Sequence, residues 1–291
     1  MTDFASDFDS WRNHAQWMDG PHGRIAYWTA GSGKPLVLIH GFPTASWDWS
    51  RMWAPLLDSG RKLIALDMLG FGLSDKPRDH TYDLMQQADL HSQLLGQLGI
   101  HAYDILAHDY GVSVAQELLA RQEEGLAGPV INSVVYLNGG LIPGEHRPRL
   151  IQHLLEGPLG PLISQLLSRR RFGKSFSAVF GPDTQPDKDE LDQFWQLMTH
   201  KNGHRLGHKL IRYMQDRRDY KDRWVGVLER AIVPQRLING VLDPVSGGHL
   251  ADAYAALVPD ADIIRLNDVG HYPQWEAPDR VLAATLEFLE R

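Results

Sequence analysis

The chain has 291 residues, with 29 Lys and Arg against 36 Asp and Glu, a formal net charge of −7. That balance argues against a nucleic-acid surface, and 43% hydrophobic with 22% charged residues is the composition of an ordinary soluble globular protein long enough for a full core. Cysteine is absent, which removes disulfides, thiolate metal sites and a Cys nucleophile, and no apolar run reaches the roughly 18 residues of a membrane helix. Met1 to Trp11 is polar and acidic, unlike a secretory leader, so the expected setting is the cytoplasm.

In chain order, Ala15–Asp19 and Arg24–Ala30 read as a hairpin around Gly20-Pro21-His22-Gly23. Pro35–Ile39 is a continuous apolar run, the pattern of a strand buried on both faces, and it leads into His40-Gly41-Phe42-Pro43. A Trp-rich helical segment spans Trp47 to Leu57, and Leu63–Asp67 is a second buried strand. Leu84 to Leu98 has helical spacing, with Leu90, Leu94, Leu95 and Leu98 on one face. A strand ending at Ala107, a helix from Val112 to Gln122 and a strand from Val130 to Leu137 continue the alternation. This rhythm predicts a doubly wound, mostly parallel α/β sheet.

At Asn138-Gly139-Gly140 the rhythm stops. From Leu141 to about Leu228 the chain reads as amphipathic helices with basic clusters at Arg169-Arg170-Arg171, read as the solvated face of a cap helix, and at Arg217-Arg218. Strand Gln235–Val241, helix His249–Val258, strand Ala261–Leu266 and helix Trp275–Leu289 then resume the alternation. The expected organisation is an α/β core (1–138), an inserted helical cap (139–230) and the rest of the core (231–291). There is no internal repeat.

The stretch from Asp104 to Ala115 is the chemical centre of this reading. A short apolar strand meets a helix across Ala107-His108-Asp109-Tyr110-Gly111, with small residues two before and two after Asp109. That is the pattern of a nucleophile elbow, a tight turn that lifts one side chain above the sheet. An ordinary helix N-cap at Asp109 is the competing interpretation. Two further residues sit just past predicted strands: Asp243 before Pro244, and His271 after Gly270. Ligand sites in open α/β sheets lie beyond the carboxyl ends of strands, and nucleophile, acid, histidine is the chain order of α/β-hydrolase triads.

These motifs resemble the α/β-hydrolase superfamily, in its epoxide hydrolase-like branch. His40-Gly41-Phe42-Pro43 is similar to the branch's oxyanion motif, His108-Asp109-Tyr110-Gly111 to its His-Asp-Trp-Gly nucleophile turn, and Gly270-His271 to its catalytic-His loop. A closer likeness is to the mesoderm-specific transcript protein group. It rests on Ala107-His108-Asp109-Tyr110-Gly111, Asn138-Gly139-Gly140 with His146-Arg147-Pro148, Val179-Phe180-Gly181-Pro182, Arg223-Trp224-Val225-Gly226 and Leu242-Asp243-Pro244-Val245.

The resemblance implies a cofactor-free and metal-free hydrolase that acts on a small apolar electrophile and water. An Asp nucleophile suits alkyl electrophiles, because it leaves an ester that water can cleave, whereas attack on an ester would require an anhydride. Epoxide hydrolysis to a diol is the leading expectation. Haloalkane dehalogenation and a ligand-binding or acyl-handling role are the alternatives. Asp109, Asp243 and His271 would form the triad, with the backbone N–H groups of Phe42 and Tyr110 as the oxyanion hole. Tyr213 occupies the expected place of the second cap tyrosine. No Tyr lies between Leu141 and Arg171, where the first belongs, and Gln152 and His153 are the nearest polar residues. His40, His108, Trp47 and His153 are expected near the substrate, with His40 chiefly a loop support. His204 and His208, four apart, are read as surface residues rather than a metal pair. Nothing in the sequence excludes a homo-oligomer.

Overall fold

In the computed structural model, which describes residues 4–291, the apolar runs form the middle of one eight-stranded sheet. Its strands are β1 (Gln16–Gly20), β2 (Gly23–Ala30), β3 (Pro35–Ile39), β4 (Lys62–Leu66), β5 (Ala102–Ala107), β6 (Val130–Tyr136), β7 (Gln235–Gly240) and β8 (Asp262–Leu266). They lie in the order β1-β2-β4-β3-β5-β6-β7-β8. β2 pairs antiparallel with β1 and with β4, and every other pairing is parallel. The sheet is therefore mostly parallel, as the alternation of elements predicts.

Strand periodicity builds two cores from one sheet. Side chains alternate between faces every residue. Val37 and Ile39 of β3, Ile64 and Leu66 of β4 and Ile105 and Ala107 of β5 enter one buried cluster. Their neighbours Leu36, Leu38, Leu63, Ala65 and Leu106 enter the other. Helices cover both faces: α1 (Phe8–Asn13), α2 (Ser50–Asp58), α3 (Leu84–Gln97) and α4 (Tyr110–Glu123) come before β6. After β6 come α5 (Leu150–Glu156), α6 (Gly160–Gln165), α7 (Arg169–Ser177), α8 (Lys188–Thr199), α9 (Gly207–Leu210), α10 (Tyr213–Asp219) and α11 (Lys221–Arg230), with no strand until β7. The last helices are α12 (Gly248–Leu257), α13 (Pro273–Glu276) and α14 (Pro278–Leu289).

Two local expectations are corrected. The segment Trp275–Leu289 is two helices, because the residue before a proline is driven out of the helical region: Ala277, before Pro278, sits at φ −140° and ψ 56°. The Trp-rich segment begins as a 3₁₀ turn, Ser46–Trp49, before α2. At the far end of the insertion, α11 packs on α4, where Glu117 accepts from Trp224 Nε1 and Arg223 Nε, both at 2.8 Å.

At the start of β5, Asp104 ties three elements together. Its carboxylate accepts from Arg61 Nη1 at 2.6 Å and from Ser133 Oγ of β6 at 2.7 Å, while Arg61 Nη2 donates to Leu289 O at the end of α14. Both charged partners are buried. Asp104→Ala leaves the Arg61 cation buried and unpaired, and denaturant unfolding is expected to show a loss of about 3–5 kcal/mol with the fold retained.

Candidate active site

β5 ends at Ala107 and α4 begins at Tyr110, so His108 and Asp109 make the whole reversal. Asp109 takes φ 47° and ψ −105°, a left-handed φ that an L-residue adopts only under strain, of the order of 1–3 kcal/mol. The turn closes because its N–H donates to Asn138 O at 2.7 Å and because residue 111 is glycine. A Cβ there would lie 2.4 Å from Ile39 O. The Asp109 side chain makes no capping bond to α4, so the N-cap interpretation fails. Its carboxylate points the other way.

One oxygen, Oδ1, accepts from Phe42 N at 2.9 Å. The other, Oδ2, lies 3.4 Å from His271 Nε2. On its far side His271 Nδ1 donates to Asp243 Oδ2 at 2.7 Å. Asp243 also accepts from Val245 N, Ser246 N, Ser246 Oγ and Asn138 Nδ2. These groups come from the carboxyl ends of β3, β5, β6, β7 and β8.

The electrostatics follow from burying two acids around one imidazole. Burial disfavours the His271 cation, but Asp243 and Asp109 outweigh it and raise the imidazole to about 10. Burial likewise works against ionised Asp243, and its contact with His271 and its hydrogen bonds prevail, holding it at about 2. Asp109 behaves the same way: the imidazolium, aided by Arg217, keeps its carboxyl well below the usual carboxylate range against the effect of burial.

Several flanking groups fix these atoms. Burial pushes His108 down to about 3, so its ring is neutral, and Nε2–H donates to His271 O at 2.7 Å. His108 thus clamps the histidine loop. His40, also fully buried, accepts from Met68 N at 3.0 Å. Arg217, missed as a site residue from sequence and read only as part of a basic cluster, is buried: it donates from Nη2 to Asp109 O at 2.9 Å and from Nε to Ser113 Oγ at 2.8 Å. Asn138 was quoted only within a motif, and it holds Asp243 through Nδ2 and accepts from Gly240 N through Oδ1.

Asp109 and His271 border a cavity of about 110 Å³. Its walls are largely apolar, including Phe42, Ile151, Leu155, Phe176 and Val245, with Gln152 and His204 among the polar residues. Cavities of about 150 Å³ hold benzene-sized ligands, so the chamber suits a small apolar molecule.

The expected substrate contacts are redistributed. His40 and His108 support loops and do not border the cavity. Trp47 is buried in the second core, and its Nε1 donates to Gln193 of α8. His153 is exposed, because the register of α5 turns its neighbour Gln152 inward. Tyr213 is fully buried between Phe42, Tyr110 and Arg217, one layer behind the cavity wall, and its hydroxyl accepts from Gln152 Nε2 at 2.9 Å. Tyr110 packs in the same layer against Phe71. His204 and His208 do not share a helix: His204 lies in a kinked 3₁₀ segment, His208 in α9, and both are partly buried.

The family described as "Alpha/beta hydrolase family" matches residues 36–284. The chain is 38% identical over 291 residues to the mesoderm-specific transcript homolog protein of Bos taurus, covering 96% of this chain and 87% of that protein. It is 35% identical over 280 residues to the putative hydrolase LipZ of Mycobacterium tuberculosis, covering 96% of each. The structure of haloalkane dehalogenase DbeA from Bradyrhizobium elkani is similar with a TM-score of 0.79 at 20% identity, covering 95% of this chain and 97% of that one, a likeness of fold. The chain belongs to the α/β-hydrolase family.

Proposed function

We propose that this hydrolase opens small apolar epoxides through an ester on Asp109 and releases a diol. One observation carries the reading: a buried, ionised aspartate, in the place where the fold presents its nucleophile, faces an apolar cavity with one oxygen engaged by Phe42 N. The engaged oxygen, Oδ1, is the future oxyanion, which leaves Oδ2 to attack the epoxide carbon. The C–O bond of the ring breaks, and the alkoxide takes a proton from Tyr213, whose ring lies behind the wall and whose hydroxyl reaches the chamber at Gln152, once the alkoxide displaces that contact. Burial raises the Tyr213 hydroxyl, so it stays protonated, and because that oxygen accepts from Gln152 its own O–H remains to donate. Gln152 stands in for the missing first cap tyrosine as a second donor.

Alkylation then changes the charge of the site. In the free protein, Asp109 and Asp243 share the His271 cation. The ester at Asp109 is neutral, so His271 keeps one carboxylate partner and gains an uncompensated neighbour in Arg217. Its pKa falls, its proton returns Tyr213 from phenolate to phenol, and the neutral ring takes a proton from the water that attacks the ester carbon. The acyl C–O bond then breaks, the diol oxygen leaves with that proton, and the acid formed at Asp109 ionises to restore the imidazolium. Asp243 holds the tautomer. The helices between β6 and β7 act as the cap, with α11 belonging to the core layer by its packing on α4. A halide leaving group is less well served, because the cavity wall includes no Trp. The cysteine-free composition fits a reducing, cytoplasmic setting.

Three outcomes are expected. Incubated with a small aryl or alkyl epoxide, His271→Phe gains the full substrate mass on Asp109 in intact and peptide mass spectrometry, and turnover falls by about 10²–10⁴. If no epoxide leaves an adduct but a haloalkane does, with chloride released, the protein is a dehalogenase. In Asp109→Asn, the His271 imidazole, followed by NMR, titrates roughly one to three pH units below its value of about 10 in the unaltered protein, because one carboxylate is gone. Tyr213→Phe slows adduct formation by about 10²-fold or more and leaves hydrolysis of a preformed ester unchanged.

A further inference from the structure

Helices α5 and α6 have two apolar faces. Ile151, Gln152 and Leu155 of α5 and Ile163 and Ser164 of α6 line the cavity. On the other side, Leu150 and Leu154, one turn apart on α5, are 74% and 39% exposed. Leu159, Leu162 and Leu166, spaced three and four apart along α6 and its caps, are 61%, 52% and 52% exposed. The spacing puts each set on one helix face. The other large apolar residues exposed among the described residues are scattered from Trp17 to Leu242. A cluster of this kind marks an interaction surface.

Charge identifies the partner. The chain carries −7 overall, yet residues 141–175 contain Arg147, Arg149, Arg169, Arg170, Arg171 and Lys174 against only Glu145 and Glu156. Arg147, Arg170, Arg171 and Lys174 are exposed, and among the described residues none has a carboxylate partner. No helix of the described residues is long and apolar enough to cross a membrane. We infer that the leucine face of α5–α6, with its basic rim, docks on the surface of an anionic lipid bilayer. Leucines enter the acyl boundary and arginines meet headgroup phosphates, the arrangement of an interfacial amphipathic segment. A second copy is a poorer occupant, because two such faces would bring unpaired cations together. The docked face backs directly onto the cavity wall, so an apolar substrate dissolved in the bilayer lies next to the chamber.

The test is flotation of the full chain with vesicles of phosphatidylcholine alone and of phosphatidylcholine mixed with phosphatidylglycerol. The unaltered chain is expected to float with the anionic vesicles, to stay behind with the neutral ones, and to be released by high salt. Arg170→Glu with Arg171→Glu is expected to lower partitioning by about five-fold or more per residue. Leu150→Glu, Leu159→Glu and Leu162→Glu together are expected to lower it by at least about ten-fold, with an unchanged thermal midpoint showing an intact fold. Absence of binding to anionic vesicles overturns the inference. So does binding that both variants retain, or a dimer in light scattering that the leucine variant dissolves without any vesicle binding. The readout needs no turnover, so failure here leaves the epoxide reaction untouched, and the reverse also holds.

Discussion

Two carboxylates sharing one buried imidazole is the constraint that the rest of the site answers to. Asp109 and Asp243 flank His271 at 3.4 Å and 2.7 Å, and all three are buried. Such a trio carries a net negative charge that a dry interior tolerates badly. Arg217 supplies the missing cation, reaching in from α10 to the backbone of Asp109. With it, two acids and two bases balance. Other ionisable groups nearby are pushed toward neutrality by burial: Asp48 is held protonated, and His108 and His146 are lowered to about 3. The balance is thus concentrated in four side chains, and the loss of either carboxylate weakens the hold on the His271 proton.

That balance explains why the core and the helical insertion cannot be treated as independent parts. Arg217 and Tyr213 belong to the insertion, and Asp109, Asp243 and His271 to the sheet. The insertion also accepts the His271 N–H through Val179 O at 2.9 Å, and Phe180 stacks on Tyr272 beside it. Motion of the insertion would therefore alter the charge environment of Asp109 as well as access to it.

The sheet and the triad were legible because their signals are local or ordinal. Buried strands declare themselves as apolar runs such as Pro35–Ile39, and the triad by three strand ends in a fixed order. The insertion was legible as helix but not in detail. A short helix such as α5 gives too few turns to fix its register, so His153 was a fair alternative to Gln152 until packing turned Gln152 inward. Tyr213 was singled out by its place in the chain, and its depth behind the cavity wall depends on Phe42 and Tyr110, far away in sequence. Arg217 was hidden by Arg218: two adjacent arginines read as one basic cluster, while only the first faces the elbow. Its signal was weak but real, since Gly140 leaves the room it fills. A Cβ on Gly140 would lie 2.3 Å from Arg217 Nη1.

The choice of electrophile follows from how charge moves. An ester substrate would place a second acyl group against Asp109 and end in an anhydride, so the proposal that aspartate is the nucleophile points the site toward saturated carbon. An alkyl halide leaves as an anion that wants N–H donors around it. An epoxide leaves as an alkoxide still tethered to the product, and it wants a proton. The donors are a primary amide in the cavity wall and a phenol behind it, Gln152 and Tyr213, hydrogen-bonded to each other. A phenol whose pKa is raised by burial and by Asp109 is a poor donor to a weak base such as halide and a competent one to a strong base such as alkoxide. In the proposed reaction, the negative charge on Asp109 that raises the phenol would disappear as the ester formed, so the phenol would become more acidic at the moment when the alkoxide appeared.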